Sequence, residues 1–180
     1  HTVLSVADKV VESVQSGDLK NIFVIGGCDG SEGERSYFTQ LGKQLPQDSL
    51  ALTLGCGKFR LNGHDMGTLP NGIPRLLDMG QCNDSYGAAK VALALADVFK
   101  TDINGLPLHF AVSWFEQKAV AVLLTLLHLG VENIYLGPRL PAFLTPAVLD
   151  VLVEKFKIKP INAADPGADL KQMLARTAPK

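Results

Sequence analysis

Three cysteines and one acid carry the chemistry worth weighing in this sequence: Cys28, Cys56, Cys82 and Glu116. Each thiol is flanked by glycine or a small polar residue: Gly27 and Asp29 around Cys28, Gly55 and Gly57 around Cys56, Gln81 and Asn83 around Cys82. A cysteine that only fills a core needs no such neighbours. Glycine lets backbone come close to a bulky group and offers its N–H to sulfur or oxygen. Thiolates are soft ligands of the kind that hold iron–sulfur clusters, and a carboxylate suits a harder, oxygen-ligated iron. The mixture therefore favours an unusual cluster over a plain four-cysteine one. None of the cysteines has local metal spacing, so three structural thiols remain the alternative reading of the residues.

Other polar residues divide into helpers and bystanders. Lys58, Arg60 and Lys118 lie close in sequence to the thiols or the acid, where a cation can lower a thiolate pKa or deliver a proton. Lys118 is the stronger choice, because it opens a helix that is otherwise apolar. His64 reads as a loop surface residue, His109 as a strand residue, His128 as a helix-end residue and Trp114 as a packing anchor. The stretch Gly55 Cys56 Gly57 Lys58 Phe59 Arg60 begins like a dinucleotide fingerprint but lacks its third glycine, and its Gly-Lys lacks the Ser or Thr of a phosphate loop.

Elements able to gather these residues can be read from the apolar runs. Asn21–Ile25, Leu50–Leu54, Leu108–Val112 and Asn133–Leu136 are short, apolar and bounded by glycine or proline, as strands buried on both faces are. Helical spacing covers Leu4 to Val14 ahead of Gly17, Arg35–Leu45, Tyr86–Phe99 with Asp84 or Ser85 as its cap, Gln117–Leu129 and Pro146–Phe156. A short helix is expected near Ile73–Met79, a short strand near Ile158–Ile161 and a weak helix after Asp169. Strand and helix alternate, which calls for an α/β fold: a doubly wound, mainly parallel, Rossmann-like sheet with helices on both faces. In such sheets the ligand crevice lies beyond the carboxyl ends of the strands. Cys28, Cys56 and Glu116 each follow an expected strand, and Cys82 sits on a loop able to join them.

The 180 residues are 47% hydrophobic and 19% charged, with a formal net charge of −1. This is enough for one sizeable core, read as a single domain over 1–180. Charge is scattered, so neither a nucleic-acid footprint nor a membrane-surface stripe is expected, and the partner should be small. The most apolar stretch, Ala119–Val131, is too short for the roughly 20 residues of a membrane span. An odd number of cysteines argues for ligands or free thiols in a reducing, cytoplasmic setting. His1 is followed within a few residues by helical spacing, as in a chain cut near an element boundary.

Five stretches together are specific. Gly26–Gly30, Leu54–Arg60, Gly72–Tyr86, Trp114–Val120 and Leu136–Leu144 resemble, in order and in register, the C-terminal α/β domain of hybrid cluster proteins, the hydroxylamine reductase or prismane family. The resemblance implies that Cys28, Cys56, Cys82 and Glu116 bind a hybrid iron–sulfur–oxygen cluster of the 4Fe-2O-2S type, shared with another domain. Cys28 would be the ligand able to carry an extra sulfur, Cys56 and Cys82 plain thiolates, Glu116 the ligand of the oxygen-rich side and Lys118 a proton donor or electrostatic support. Gly26, Gly27, Gly55 and Gly57 would shape the cradle. The activity implied is reduction of hydroxylamine to ammonia and water, or of nitric oxide to nitrous oxide. Electrons would come from a redox donor protein through a second iron–sulfur cluster near the N-terminus of the whole protein.

The family's remaining hybrid-cluster ligands, a histidine, a glutamate and a cysteine, have no counterpart in these 180 residues. The chain is therefore expected to be a fragment, inactive alone. Two other readings stay open at this level: a nickel–iron carbon monoxide dehydrogenase-like domain, against which Glu116 argues, and a non-catalytic Rossmann-like binding domain with structural thiols.

Overall fold

The structure, a computed structural model, describes residues 7–177. Helix α1 (Ala7–Ser16) leads into β1 (Asn21–Gly27), and a short 3₁₀ turn (Gly33–Arg35) into α2 (Ser36–Lys43). Next come β2 (Ser49–Leu54), a 3₁₀ turn (Cys56–Arg60), β3 (Leu76–Asp78), a 3₁₀ turn (Cys82–Asp84) and α3 (Ser85–Phe99). The chain continues through β4 (Leu108–Ser113), α4 (Gln117–His128), β5 (Ile134–Leu136), α5 (Pro146–Phe156), β6 (Lys159–Pro160) and α6 (Pro166–Thr177). Leu4, placed by its spacing in the first helix, lies outside the described residues.

All six strands are parallel, in the order β3-β2-β1-β4-β5-β6. Successive strands therefore run outward in opposite directions from the β1–β4 pair, and that is the point where open α/β sheets bind ligands. The run Ile22 to Ile25 has no polar face to show because β1 is covered on both sides. Ile22 packs with Leu50, Leu54, Leu108, Phe110 and Leu123 in one core, while Phe23 and Ile25 pack with Phe38, Leu41, Ala51 and Leu170 in the other. Helix α4 presents Ala119, Leu123, Leu126 and Leu127 to the first core, at the spacing of one helical face. Burying a leucine contributes about 1.5–3 kcal/mol. Leu123→Ala would cost about 2–5 kcal/mol, because close packing leaves the hole unfilled.

Two expectations change. Ile73–Met79 contains no helix: Leu76–Asp78 pairs with Ala51–Thr53 as edge strand β3. Periodicity cannot separate a three-residue strand from a short helical piece, and only the pairing with β2 decides it. Nor does Asp84 or Ser85 cap α3 by side chain. The Asp84 carboxylate accepts instead from the Gln81 N–H at 2.8 Å, and Ser85 Oγ is buried without a partner among the described residues. Helix α5 covers the expected span, with Pro146 in its first turn and Thr145 accepting from the Val148 N–H.

At the amino edge of the sheet, buried His109 stacks on Phe23 with ring centroids 4.6 Å apart, and its Nε2 lies 2.9 Å from Asn21 Oδ1. Thr177 Oγ1 donates to the same oxygen at 2.8 Å. Among the described residues no helix is long and apolar enough to cross a membrane.

Candidate metal-cluster site

Four loops leave the carboxyl edge side by side. Cys28 directly follows β1, Cys56 follows β2 after Gly55, and Glu116 follows β4. Cys82 lies on the loop after β3, so the strand not foreseen in the sequence extends the strand-end rule to the third thiol.

Glycine lets these loops close on one another. A Cβ on Gly55 would stand 2.7 Å from the Gly27 carbonyl oxygen and 3.3 Å from Cys82 Sγ, and one on Gly57 would stand 3.1 Å from Gly26 Cα. At Gly27, where φ is +108°, a Cβ would meet the Trp114 ring at 2.5 Å and the Ser113 carbonyl oxygen at 2.6 Å. The four glycines shape the site by letting backbone touch backbone; the space beside each is filled by protein. The Gly55 N–H donates to the Gly80 carbonyl at 2.9 Å, which ties the Cys56 loop to the Cys82 loop.

The thiols differ in exposure: Cys28 is buried, Cys82 half-buried and Cys56 exposed. Burial pushes the Cys82 thiol up, the Cys28 and Cys56 thiols add to that, and Lys118 pulls it back down. Cys82 therefore feels both other thiols and the lysine. The Glu116 N–H points at Cys28 Sγ, 3.3 Å away, joining the β4 loop to the β1 loop. The side chains of Glu116 and Lys118 are exposed at the start of α4.

The remaining sequence candidates are placed elsewhere or otherwise engaged. Lys58 is paired with Asp78 at 2.9 Å and Arg60 with Asp29 at 2.9 Å, so both cations brace loops. Burial alone would raise the Asp78 pKa; hydrogen bonds from Lys58, the Gly80 N–H and Asn62 outweigh it and hold the carboxyl below its ordinary value. His64 is half-buried on its loop, His128 is exposed at the end of α4, and His109 belongs to the opposite edge. Trp114 is the anchor its size implied, but its buried Nε1 has no partner among the described residues. Among those residues, no three His, Cys, Asp or Glu side chains are grouped to hold a single metal ion.

A model of the Prismane/CO dehydrogenase family matches residues 3–170. The chain belongs to that family. Among its relatives, it is 57% identical over 178 residues to a hydroxylamine reductase of Burkholderia ambifaria, covering 99% of this chain and 32% of that protein. It is 56% identical over 172 residues to a hydroxylamine reductase of Moorella thermoacetica, covering 96% of this chain and 40% of that protein. The chain thus spans about a third of the length of the curated relatives it matches.

The family's fold extends to solved structures of low identity. Carbon monoxide dehydrogenase IV from Carboxydothermus hydrogenoformans superposes with a TM-score of 0.68 at 16% identity, over 93% of this chain and 32% of that one. The Ni-free carbon monoxide dehydrogenase from Thermococcus sp. AM4 gives 0.67 at 22% identity, over 94% of this chain and 32% of that one. At such identities the likeness concerns the architecture alone.

This family member also holds residues whose bracing role sequence reasoning passed over. Arg35, Ser113 and Phe115 brace the Cys28 segment, with Asp29 tied to Arg60 beside it. Arg35 reads in sequence as one more cation at a helix start, and nothing local marks it as buried. The only hint was its place seven residues past a cysteine in a Gly-rich turn.

Proposed function

We propose that this chain supplies one flank of a hybrid iron–sulfur–oxygen cluster in a hydroxylamine reductase, the remaining ligands coming from other parts of the protein. Identity of 57% to hydroxylamine reductases across almost the whole chain is the observation that carries this reading. The donor set supports it. In a multinuclear cluster each iron takes its own protein ligand, so the thiols need not be grouped around one point as they would for a single ion. Loops drawn together by Gly27 and Gly55, with Cys82 under the influence of both other thiols, suit such a ligand set.

In this reading Cys28, Cys56 and Cys82 would hold iron by their thiolates, with Cys28 the one able to carry an extra sulfur, and Glu116 would offer a harder oxygen ligand to the same cluster. When bound, the cluster supplies electrons singly to the nitrogen substrate. Hydroxylamine takes up two electrons and two protons, its N–O bond breaks, and ammonia and water leave. Lys118, two residues past Glu116 at the start of α4, would hold a proton on Nζ for the departing oxygen. Nitric oxide, reduced to nitrous oxide, is a second substrate of the same chemistry. A redox donor protein and a further 4Fe-4S-type cluster outside these residues deliver the electrons, in the reducing cytoplasm, as part of nitrogen metabolism. Nothing in the donor set calls for nickel, and Glu116 distinguishes the site from that of a carbon monoxide dehydrogenase.

The deciding experiment is iron, sulfide, nickel and electron paramagnetic resonance analysis of the full-length protein beside Glu116→Ala and Cys56→Ala. Both variants should lose or reshape the cluster signal and fall in hydroxylamine reduction by more than a hundredfold. Unchanged signals in both, or stoichiometric nickel, would overturn the proposal.

A further inference from the structure

Arg35 is buried to 0% exposure, and burying a guanidinium is costly unless its charge and donors are matched. Its partners therefore report its task. Nη1 donates to the Cys28 carbonyl at 2.8 Å, Nη2 to Ser113 Oγ at 2.9 Å and Nε to Glu32 at 3.0 Å. The Phe115 ring lies 5.3 Å from the guanidinium. These contacts converge on the two segments that carry Cys28 and Glu116. The Cys28 N–H donates to the Ser113 carbonyl at 2.5 Å, Phe115 immediately precedes Glu116, and the Glu116 N–H reaches Cys28 Sγ.

The charge is offset unevenly. Glu32 is 32% exposed, and Asp29, 30% exposed and 3.8 Å from Arg35, lies nearer to Arg60 at 2.9 Å. Partly solvated carboxylates compensate a buried cation incompletely, because water screens them and does not reach it. We propose that Arg35 is a positioning residue: it locks the Cys28 and Glu116 segments in one register and raises the electron affinity of the group they hold. This rests on the cluster reading given above.

The test uses full-length, cluster-loaded protein with Arg35→Gln, Arg35→Lys and Glu32→Gln, read by iron content, one-electron midpoint potential and resonance line shape. Arg35→Gln should shift the one-electron equilibrium about tenfold toward the oxidised form, about 59 mV lower. Glu32→Gln, which leaves Arg35 but removes its nearest counter-charge, should shift it about threefold the other way. Arg35→Lys should keep the potential but broaden the signal, since an ammonium cannot make the planar fork. Loss of packing alone would not give shifts of opposite sign. Iron-replete Arg35→Gln and Glu32→Gln proteins with wild-type potentials, or with shifts of the same sign, would overturn the proposal. Should Arg35→Gln fail to accumulate, Glu32→Gln compared in wild-type and Arg139→Gln backgrounds decides, because Glu32 also pairs with Arg139 at 3.4 Å and only a shift that persists without Arg139 belongs to Arg35; a shift lost with Arg139 would overturn the proposal. Absence of iron from the unsubstituted protein would instead sink the cluster reading.

Discussion

At the amino end of the β1–β4 pair, Asn21, His109 and Thr177 close on one another through neutral hydrogen bonds, with His109 stacked on Phe23. At the carboxyl end the same two strands run into left-handed Gly27, the buried Cys28 thiol and a buried arginine whose carboxylate partners are partly solvated. One end satisfies its polar groups within itself. The other leaves Trp114 Nε1 without a partner among the described residues, Cys56 exposed and Glu116 and Lys118 exposed. A fold that is locally consistent at one edge and departs from consistency at the other marks the second edge as the one kept for function.

The sharpest way to break this contrast is to fill the carboxyl end. Gly27→Ala places a methyl against the Trp114 ring and the Ser113 carbonyl at a φ of +108°. Backbone strain and overpacking should together cost about 2–5 kcal/mol, measured by denaturant unfolding. Gly33→Ala, where a Cβ would meet nothing within 4 Å, is the matched control and should change stability by less than about 0.5 kcal/mol. Equal effects of the two would mean that the close approach at Gly27 is not what organises this edge.

Acid should attack the amino end. Burial, with help from the Arg176 charge, pushes the His109 pKa down to about 3, so the folded protein keeps it neutral while the unfolded chain takes up a proton below about pH 6.5. The unfolded state then binds more protons, and stability falls as pH drops from about 6.5 toward 3. By pH 5 the loss should be about 2 kcal/mol. His109→Gln, which can still donate to Asn21, should flatten that limb of the stability curve. A curve of the same slope in both proteins would remove His109 from the account.

How far the sequence disclosed these two ends depends on how local each signal was. Strands β1, β2 and β4 were readable because runs of five or six buried residues, set off by glycine or proline, leave little choice, and Cys28 and Cys56 stood out because each followed such a run. Strand β3 was not, since Leu76 to Asp78 become a strand only by pairing with Ala51 to Thr53. Arg35 was invisible for a similar reason: its partners Cys28 and Ser113 are brought together by the β1–β4 pairing, in which Gly27 faces Ser113. The amino edge hid its design equally well. Asn21, His109 and Thr177 are far apart in sequence, and no pattern joins them.

The three thiols offer a subtler comparison within the carboxyl end. Cys56 is exposed, whereas Cys28 is 6% exposed and its segment is held by the Arg35 brace. Alkylation followed by peptide mass mapping should modify Cys56 at least tenfold faster than Cys28, a difference of about 1.4 kcal/mol in access. Cys82 should fall between them, slowed by half-burial and a thiol pKa pushed up by desolvation and its thiol neighbours. Simultaneous modification of all three would show that the loops are not held before a metal arrives.

The smallest effect tests whether the cations at this edge brace loops or serve the thiols. Lys58 is the candidate, because it follows Cys56 yet pairs with Asp78, whose side chain is 40% exposed. An ion pair that open to water is worth at most about 1 kcal/mol, so Lys58→Met should cost no more than that. Its pH dependence carries the sign. Hydrogen bonds from Lys58, Gly80 and Asn62 overcome the upward push of burial and hold the Asp78 pKa below 3.8. The pair thus stabilises the fold above the unfolded-chain value and loses that contribution as pH falls through the depressed one. The difference between wild type and Lys58→Met should therefore persist at neutral pH and vanish in strong acid. If Lys58 served the Cys56 thiolate instead, the substitution would slow Cys56 alkylation near pH 8 and leave acid stability unchanged, reversing the pattern expected of a loop brace.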